Sequence, residues 1–445
     1  MTNAWQRRKG ERGQTILLVA ASLVTLLGMA ALAIDVVTLY MARAEAQRAA
    51  DAGALAGAKM LADTGLTTDP CNTTLATAAQ SLAQTQAQLA AQQNLIAGQP
   101  APSPTVTFPN GGQTSCSALG PAAFGINPQV KVAVTRSNLP IFFARVWNQG
   151  LATVSATATA EAYNPSNSAT LNTTGSVIPI APRCAKPLIL PNCDPTNPNK
   201  SGSPCGSSPT FIDATTGAIT NPGLGAASGV IGETLPLNAD CNASLQPCTP
   251  SNTSKAFAGL YFPIDLPTTS LHLCAGCATA TTGGFQSDLE CCNASTLACG
   301  QQVTVDYSVN PKGPGGAAES GGQCLIHQNG QGQDLIDTST QSPMLFVAGS
   351  NNPFVGSSIQ VGDHILTSDS VISVPLYDGI TVPGFNGASN SVTIIGYLQL
   401  FINDVRNDGA ITATVLNVSG CGNAPLGTAI QGAATSVPVR LIQAP

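Results

Sequence analysis

Charge is scarce in this chain: Asp, Glu, Lys and Arg make up 9% of its 445 residues, against about a quarter in an ordinary soluble domain. The net charge is −6, and no basic patch interleaved with aromatics occurs beyond the N-terminal tail, so nucleic-acid binding has no support. Aromatics account for only 4%, so a core must rest on Val, Ile, Leu and Ala. There are three histidines, His272, His327 and His364. Gly-x-Ser-x-Gly, His-Glu-x-x-His, Walker-type and dinucleotide loops are all missing. Nothing in the sequence supports catalysis, and no cofactor or metal is expected. The first 70 residues contain no cysteine, although the chain has 14.

What is present begins with one long apolar run. Thr15 to Ile34 is 20 residues without a charge, which as a helix covers about 30 Å, the thickness of the bilayer's hydrocarbon core. Arg7, Arg8, Lys9 and Arg12 precede it, against Glu11 alone, whereas Asp35, Arg43, Glu45, Arg48 and Asp51 follow in mixed sign. The positive-inside rule then keeps the short tail cytoplasmic and sends the body out. A cleaved signal peptide is the rival, with Ala31-Leu32-Ala33 as a small-residue site; the length of the run and the helix beyond it favour an uncleaved anchor. Asp35 marks the outer span boundary, where it is expected as a carboxylate in water.

From Thr38 to Leu61 there is no proline. Leu39, Ala42, Ala46, Ala49, Gly53, Ala56 and Met60 recur at alternating steps of three and four, a heptad seam of mostly small residues. Such a seam lets two backbones approach closely. It serves either the protein's own sheet and second helix or an intermolecular partner. "DTGLTTDP" then breaks the helix, and a second helical stretch follows with Leu75, Leu82, Leu89 and Ile96 every seven residues, predicting an antiparallel helical hairpin. "VKVAVTRS" (130–137) and "LATVSATATAEAYN" (151–164) alternate with period two and predict strands, with a short helix at 139–150 between them.

The residues Arg12-Gly13-Gln14, then Ala33-Ile34-Asp35, then Gln47, Ala49, Ala50, Asp51, Ala54, Leu55, Ala56 and Gly57 strongly resemble the N-terminal module of TadE/TadG-like Flp pilus-assembly proteins. The resemblance is specific over about residues 1–62 and looser over 130–164. It implies a bacterial inner-membrane protein, single-pass, with a cytoplasmic N-terminus and a periplasmic or surface-exposed body. It also implies other pilus-assembly or pilin-like subunits as partners and admits a homo-oligomer. Two departures stand out. No Glu follows Gly13 within five residues, so prepilin-type cleavage is not expected. The metal motif of von Willebrand A domains, found in some relatives, is broken in "DLIDTSTQS" (Gln341 replaces a Ser), and a turn is expected there.

The body carries the cysteines: Cys71, Cys116, Cys184, Cys193, Cys205, Cys241, Cys248, Cys274, Cys277, Cys291, Cys292, Cys299, Cys324 and Cys421. A chain folding in an oxidising compartment would use them as disulfides, with Cys71 and Cys116 the natural local pair. Cys274-Ala-Gly-Cys277 is a lone knuckle, short of the usual zinc pattern. "KGPGGAAESGGQC" lacks the trailing Lys-Ser/Thr of a phosphate loop and is expected to be a flexible loop. Asn-x-Ser/Thr sequons, among them Asn72, Asn172, Asn242, Asn252, Asn293 and Asn417, are what an Asn- and Thr-rich chain shows by chance.

The expected organisation is α+β: a cytoplasmic tail (1–14), a transmembrane helix (15–37), pilin-like helices with a small sheet (38–164), a Cys/Pro/Gly-rich loop-dominated region (165–340) and an antiparallel β region (341–445). The expected role is a non-enzymatic, membrane-anchored component of Flp pilus assembly working through helix packing and protein contacts. The alternative is an adhesive or ligand-binding envelope protein that uses the helix only as an anchor.

Overall fold

A computed structural model describes residues 7–109, 127–141, 143, 151–166, 179–194, 205, 209–225, 229–240, 256–267, 271–272, 284–337, 344–380, 382–384, 389–421, 430–431 and 435–442. Cys116, Cys241, Cys248, Cys274, Cys277 and nearly all of the helix expected at 139–150 lie outside the described residues. Helix α1 runs unbroken from Arg7 to Asp63, beginning inside the stretch expected as tail, and α2 spans Thr73–Gln93. No proline interrupts α1, and the turn after it carries Gly65 at φ 78°, where the left-handed backbone stops the helix. The side chain of Asn72 caps α2 by accepting from the Leu75 N–H at 3.0 Å.

The strands that build the two main sheets are β1 (Thr105–Thr107), β2 (Gln129–Pro140), β3 (Leu151–Ala162), β4 (Leu188–Pro191), β5 (Thr234–Ala239) and β6 (Leu260–Pro263). After α3 (Phe285–Glu290) and α4 (Ala317–Leu325) come β7 (Leu335–Asp337), β8 (Leu345–Val347), β9 (His364–Ile365), β10 (Val371–Tyr377), β11 (Gly396–Val405), β12 (Ile411–Gly420) and β13 (Val439–Ile442). The first sheet has the order β13-β3-β2-β1, all antiparallel, with β2 and β3 forming a long hairpin in which Val130 pairs Ala160 and Leu139 pairs Ala152. Residues 139–140 therefore continue a strand, where a helix was expected. The alternation that predicted the strands is real: Val130, Val132 and Val134, with Val154, Ala156, Ala158 and Ala160, turn inward beneath α1.

The second unit is a closed six-stranded barrel of order β10-β11-β12-β5-β6-β4. It closes by parallel pairing of β4 with β10 (Leu190 with Leu376), and β5 and β6 are also parallel. The antiparallel β10-β11-β12 meander was legible in the sequence; its partners β4, β5 and β6 come from the stretch expected to be loops, so the boundary at 340 runs through one barrel. Barrel strands are buried on both faces, as β11 and β12 show almost throughout, and such strands read as continuous apolar runs. The glycine-rich segment expected as a flexible loop contains α4. Its glycines are needed for fit, because a Cβ on Gly321 would lie 2.7 Å from the Gln286 carbonyl oxygen and one on Gly322 would meet Val405 at 3.1 Å.

Disulfides Cys184–Cys292, Cys193–Cys205 and Cys299–Cys421 tie the loops to the barrel, and Cys71, Cys291 and Cys324 are also disulfide-bonded. Instead of a turn, Leu335–Asp337 is an edge strand of the small β7-β8-β9 sheet, and Asp337 pairs with His364 at 3.2 Å.

Candidate functional site: the anchor helix and its seat in the body

Helix α1 divides near residue 41 into two environments. Between Ile16 and Met41 its large apolar side chains, Leu39 apart, are exposed, and the segment Gly13–Asp63 is long and apolar enough to cross a membrane. From Ala42 onward the exposed apolar belt ends. Ala42, Ala46, Ala49, Gly53 and Met60 of the seam are buried, while Leu39 and Ala56 are half-buried. What covers them belongs to the same chain. A Cβ on Gly53 would stand 2.8 Å from the Ala87 carbonyl oxygen and 3.3 Å from Val132; one on Gly57 would meet Ala83, Ala87 and Val130. As α1 advances from 53 to 57, α2 retreats from 91 to 83, so the pair is antiparallel and both glycines lie wedged between α2 and β2. The seam thus packs on its own second helix and sheet.

The buried face is wider than the seam, since Ala50, Ala54, Gly57, Ala58 and Leu61 are buried as well. A helix held by a helix on one side and a sheet on the other hides two adjacent stripes. The four-residue repeat of Ala50, Ala54 and Ala58 was the signal for the second. On α2 the contact face is Ala76, Ala79, Ala83, Ala87 and Ala91 together with Leu75; of the heptad leucines, Leu82 is half-buried and Leu89 is 47% exposed. Where backbones come this close, only alanine fits.

Beyond α1 the junction with the barrel is polar and closed to solvent. Asn417 on β12 donates to the Ala62 carbonyl at 2.6 Å and to Gln399 Oε1 at 2.8 Å, and its Oδ1 accepts from the hydroxyls of Thr67 (2.7 Å) and Thr68 (3.2 Å). Asn164, just after β3, donates to the Thr67 and Val418 carbonyls at 3.2 and 2.8 Å. Ser166 accepts from the Gly420 N–H at 2.7 Å. Gly65 permits the approach, since a Cβ there would strike Ile231 and the Leu416 carbonyl within 2.8 Å. Asn417 had the look of a chance sequon; it is the centre of the joint. Lys59 and Asp63 form an ion pair at 2.5 Å near the end of α1, and burial raises the Asp63 pKa against the pull of Lys59.

Asp35 departs from expectation. It is 2% exposed, and its carboxylate accepts the backbone N–H of Phe143 at 2.9 Å, which places Phe143 beside α1 at the span boundary. Two further buried charges went unnoticed in the sequence. Lys186 donates to the Cys291 carbonyl at 3.0 Å, and burial pushes its pKa down to about 8. Burial, and then the neighbouring Asp194, push Glu233 up to about 8. Among the described residues no group of His, Cys, Asp and Glu is placed to hold a metal ion.

Among the described residues one helix is apolar and exposed enough to anchor the protein in a membrane, and it continues unbroken into the core of an α+β body. Residues 13–60 match the family described as putative Flp pilus-assembly TadE/G-like, and they cover both the exposed belt and the buried alanine face. The N-terminal module is of that family, which associates the protein with Flp pilus assembly. No curated protein matches the chain, and no solved structure does.

Proposed function

We propose that this protein is a non-enzymatic structural component of Flp pilus assembly. In this reading it is held in the bacterial inner membrane with its N-terminus in the cytoplasm and its barrel in the periplasm or at the surface. It would meet other assembly subunits through the exposed part of α1. The carrying observation is that the module matched at 13–60 has its outer half consumed by the protein's own α2 and sheet. The side of the family helix left for partners is then the stretch up to Met41. The helix is unbroken from the span into the body, where its outer half is buried. The orientation rests on four cations before the span and on a body held by disulfides.

The test is genetic and uses the whole chain. Deletion in the native bacterium is expected to abolish surface Flp pili, and wild type should restore them. A variant whose residues 1–41 are replaced by an unrelated single-span anchor of equal length and orientation is expected to insert but not to restore pili. Intact piliation after deletion would refute the role. Full rescue by the foreign anchor would reduce the helix to a tether and favour an adhesive or ligand-binding body.

A further inference from the structure

Asp35 sits in an unusual position for a buried carboxylate. Its neighbours in the helix, Ile34 and Val36, are 50% and 55% exposed, and exposed Val37, Tyr40 and Met41 continue the apolar belt more than a turn beyond it. Measured from Ile16, Asp35 lies about 28 Å along the helix, near the far edge of a hydrocarbon core roughly 30 Å thick. A carboxylate at that depth is costly unless its charge is met by hydrogen bonds. The Phe143 N–H meets it at 2.9 Å across 108 residues of sequence. That bond also fixes where Phe143 must be: whatever depth Asp35 has in the membrane, Phe143 shares it to within a side chain's length.

The surroundings of Phe143 suit that depth. Its own side chain is 40% exposed, and Leu151, which begins β3, is exposed too. Beside the hairpin a groove of about 430 Å³ runs between α1 and β3, with Tyr40 and Arg43 on one wall and Ser155 on the other. Tyr and Arg are residues that place an apolar stem in the acyl region and a polar end among headgroups.

We propose that Phe143, clasped to α1 by Asp35, is a second membrane contact, seated among the lipid headgroups and upper acyl chains of the leaflet through which α1 leaves. The body then rests on the bilayer at two points and cannot stand off on a stalk. This rests on α1 crossing the membrane, and the test separates the two.

Full-length protein would be placed in phosphatidylcholine/phosphatidylglycerol nanodiscs. An environment-sensitive fluorophore would be attached, one site at a time, at Val24→Cys, Phe143→Cys and Leu335→Cys, the last an exposed apolar site on the barrel's small sheet. Quenching by lipids carrying a shallow or a deep nitroxide, and by aqueous iodide, reads the depth. Expected are deep-nitroxide quenching at 24, shallow-nitroxide quenching at 143 at least threefold above that at 335, and iodide quenching at 335 only. Asp35→Leu should drop the value at 143 to that at 335 and leave 24 unchanged, whereas Asp35→Asn, which keeps an acceptor oxygen, should retain it. Failure at 24 overturns the span itself. Quenching at 24 combined with iodide access at 143, or with shielding of 143 from both quenchers by a protein neighbour, overturns the lipid contact alone. If Asp35→Leu leaves 143 as deep as before, the clasp is refuted.

Discussion

From Ile16 to Met41 the anchor helix presents Leu, Ile, Val and Met to its surroundings; from Ala42 to Leu61 it presents mainly Ala and Gly, and hides them. The backbone is the same in both halves. What differs is the medium. Lipid is fluid and accepts any large apolar side chain, so the first half needs bulk without shape. The second half meets fixed backbones, those of α2 and β2, close enough that even a Cβ is too much at Gly53 and Gly57. Bulk marks contact with a solvent, and smallness marks contact with a structure.

The sharpest way to break that comparison is to add the same side chain to one glycine in each half. Gly53→Leu forces a branched side chain to where a Cβ alone would lie 2.8 Å from the Ala87 carbonyl. Overpacking of this kind costs typically about 1–3 kcal/mol, and the upper end is expected, read as a lowered thermal midpoint of the body. Gly28→Leu, where nothing lies within 4 Å, should leave that midpoint unmoved. Equal effects at both sites would mean that the two halves share one environment.

Next in size is the joint. Asn417→Leu leaves Thr67, Thr68, Gln399 and the Ala62 carbonyl without their shared partner. A buried group so stranded costs about 1–3 kcal/mol, and about 2 kcal/mol overall is expected. Hydrogen exchange should rise first at residues 60–68, because the loss falls where helix meets barrel. Uniform exchange over the whole body would place the joint elsewhere.

A third test uses pH. The folded state holds the Glu233 proton to about pH 8, whereas the unfolded chain releases it near 4.5. Unfolding therefore releases a proton between those values, and stability falls as pH rises, by at most about 1.4 kcal/mol per unit from this one group. Lys186 has the opposite sign and acts later: held neutral by burial down to about 8 against 10.5 for the free side chain, it makes stability rise again between those values. Urea unfolding from pH 5 to 8 should give a descending curve that Glu233→Gln flattens; a curve that rises over this range would contradict it. The smallest effect is expected at Ala44→Leu, an exposed site off the seam, within about 0.5 kcal/mol of wild type by the same thermal measurement.

How far the sequence disclosed all this follows the same division. The span was plain from hydropathy, and the seam from the spacing of small residues at 42, 46, 49 and 53. The face of α2 was missed because the eye follows leucine, and Leu82 and Leu89 recur every seven residues while Ala79, Ala83, Ala87 and Ala91 do the packing. Barrel closure was hidden because β4 and β6 have only four residues each, and β4 pairs in parallel with β10, far away in sequence. The helix α4 was disguised by the glycines that its close packing requires. Asn417 could not be distinguished from the chain's many surface-type asparagines, since three of its partners, Ala62, Thr67 and Thr68, lie about 350 positions away.

The central claim is that the outer half of α1 is buried by its own chain before any partner arrives. Cysteine scanning from residue 42 to 56 of the purified, monomeric protein in detergent tests it most directly, since no described cysteine is free to interfere. Maleimide labelling under native conditions should be slow at 42, 46, 49 and 50 and fast at 44, 47 and 48, following the buried and exposed faces. Fast labelling at every position would mean that the alanine face stands open for another subunit, contradicting burial by α2 and the sheet.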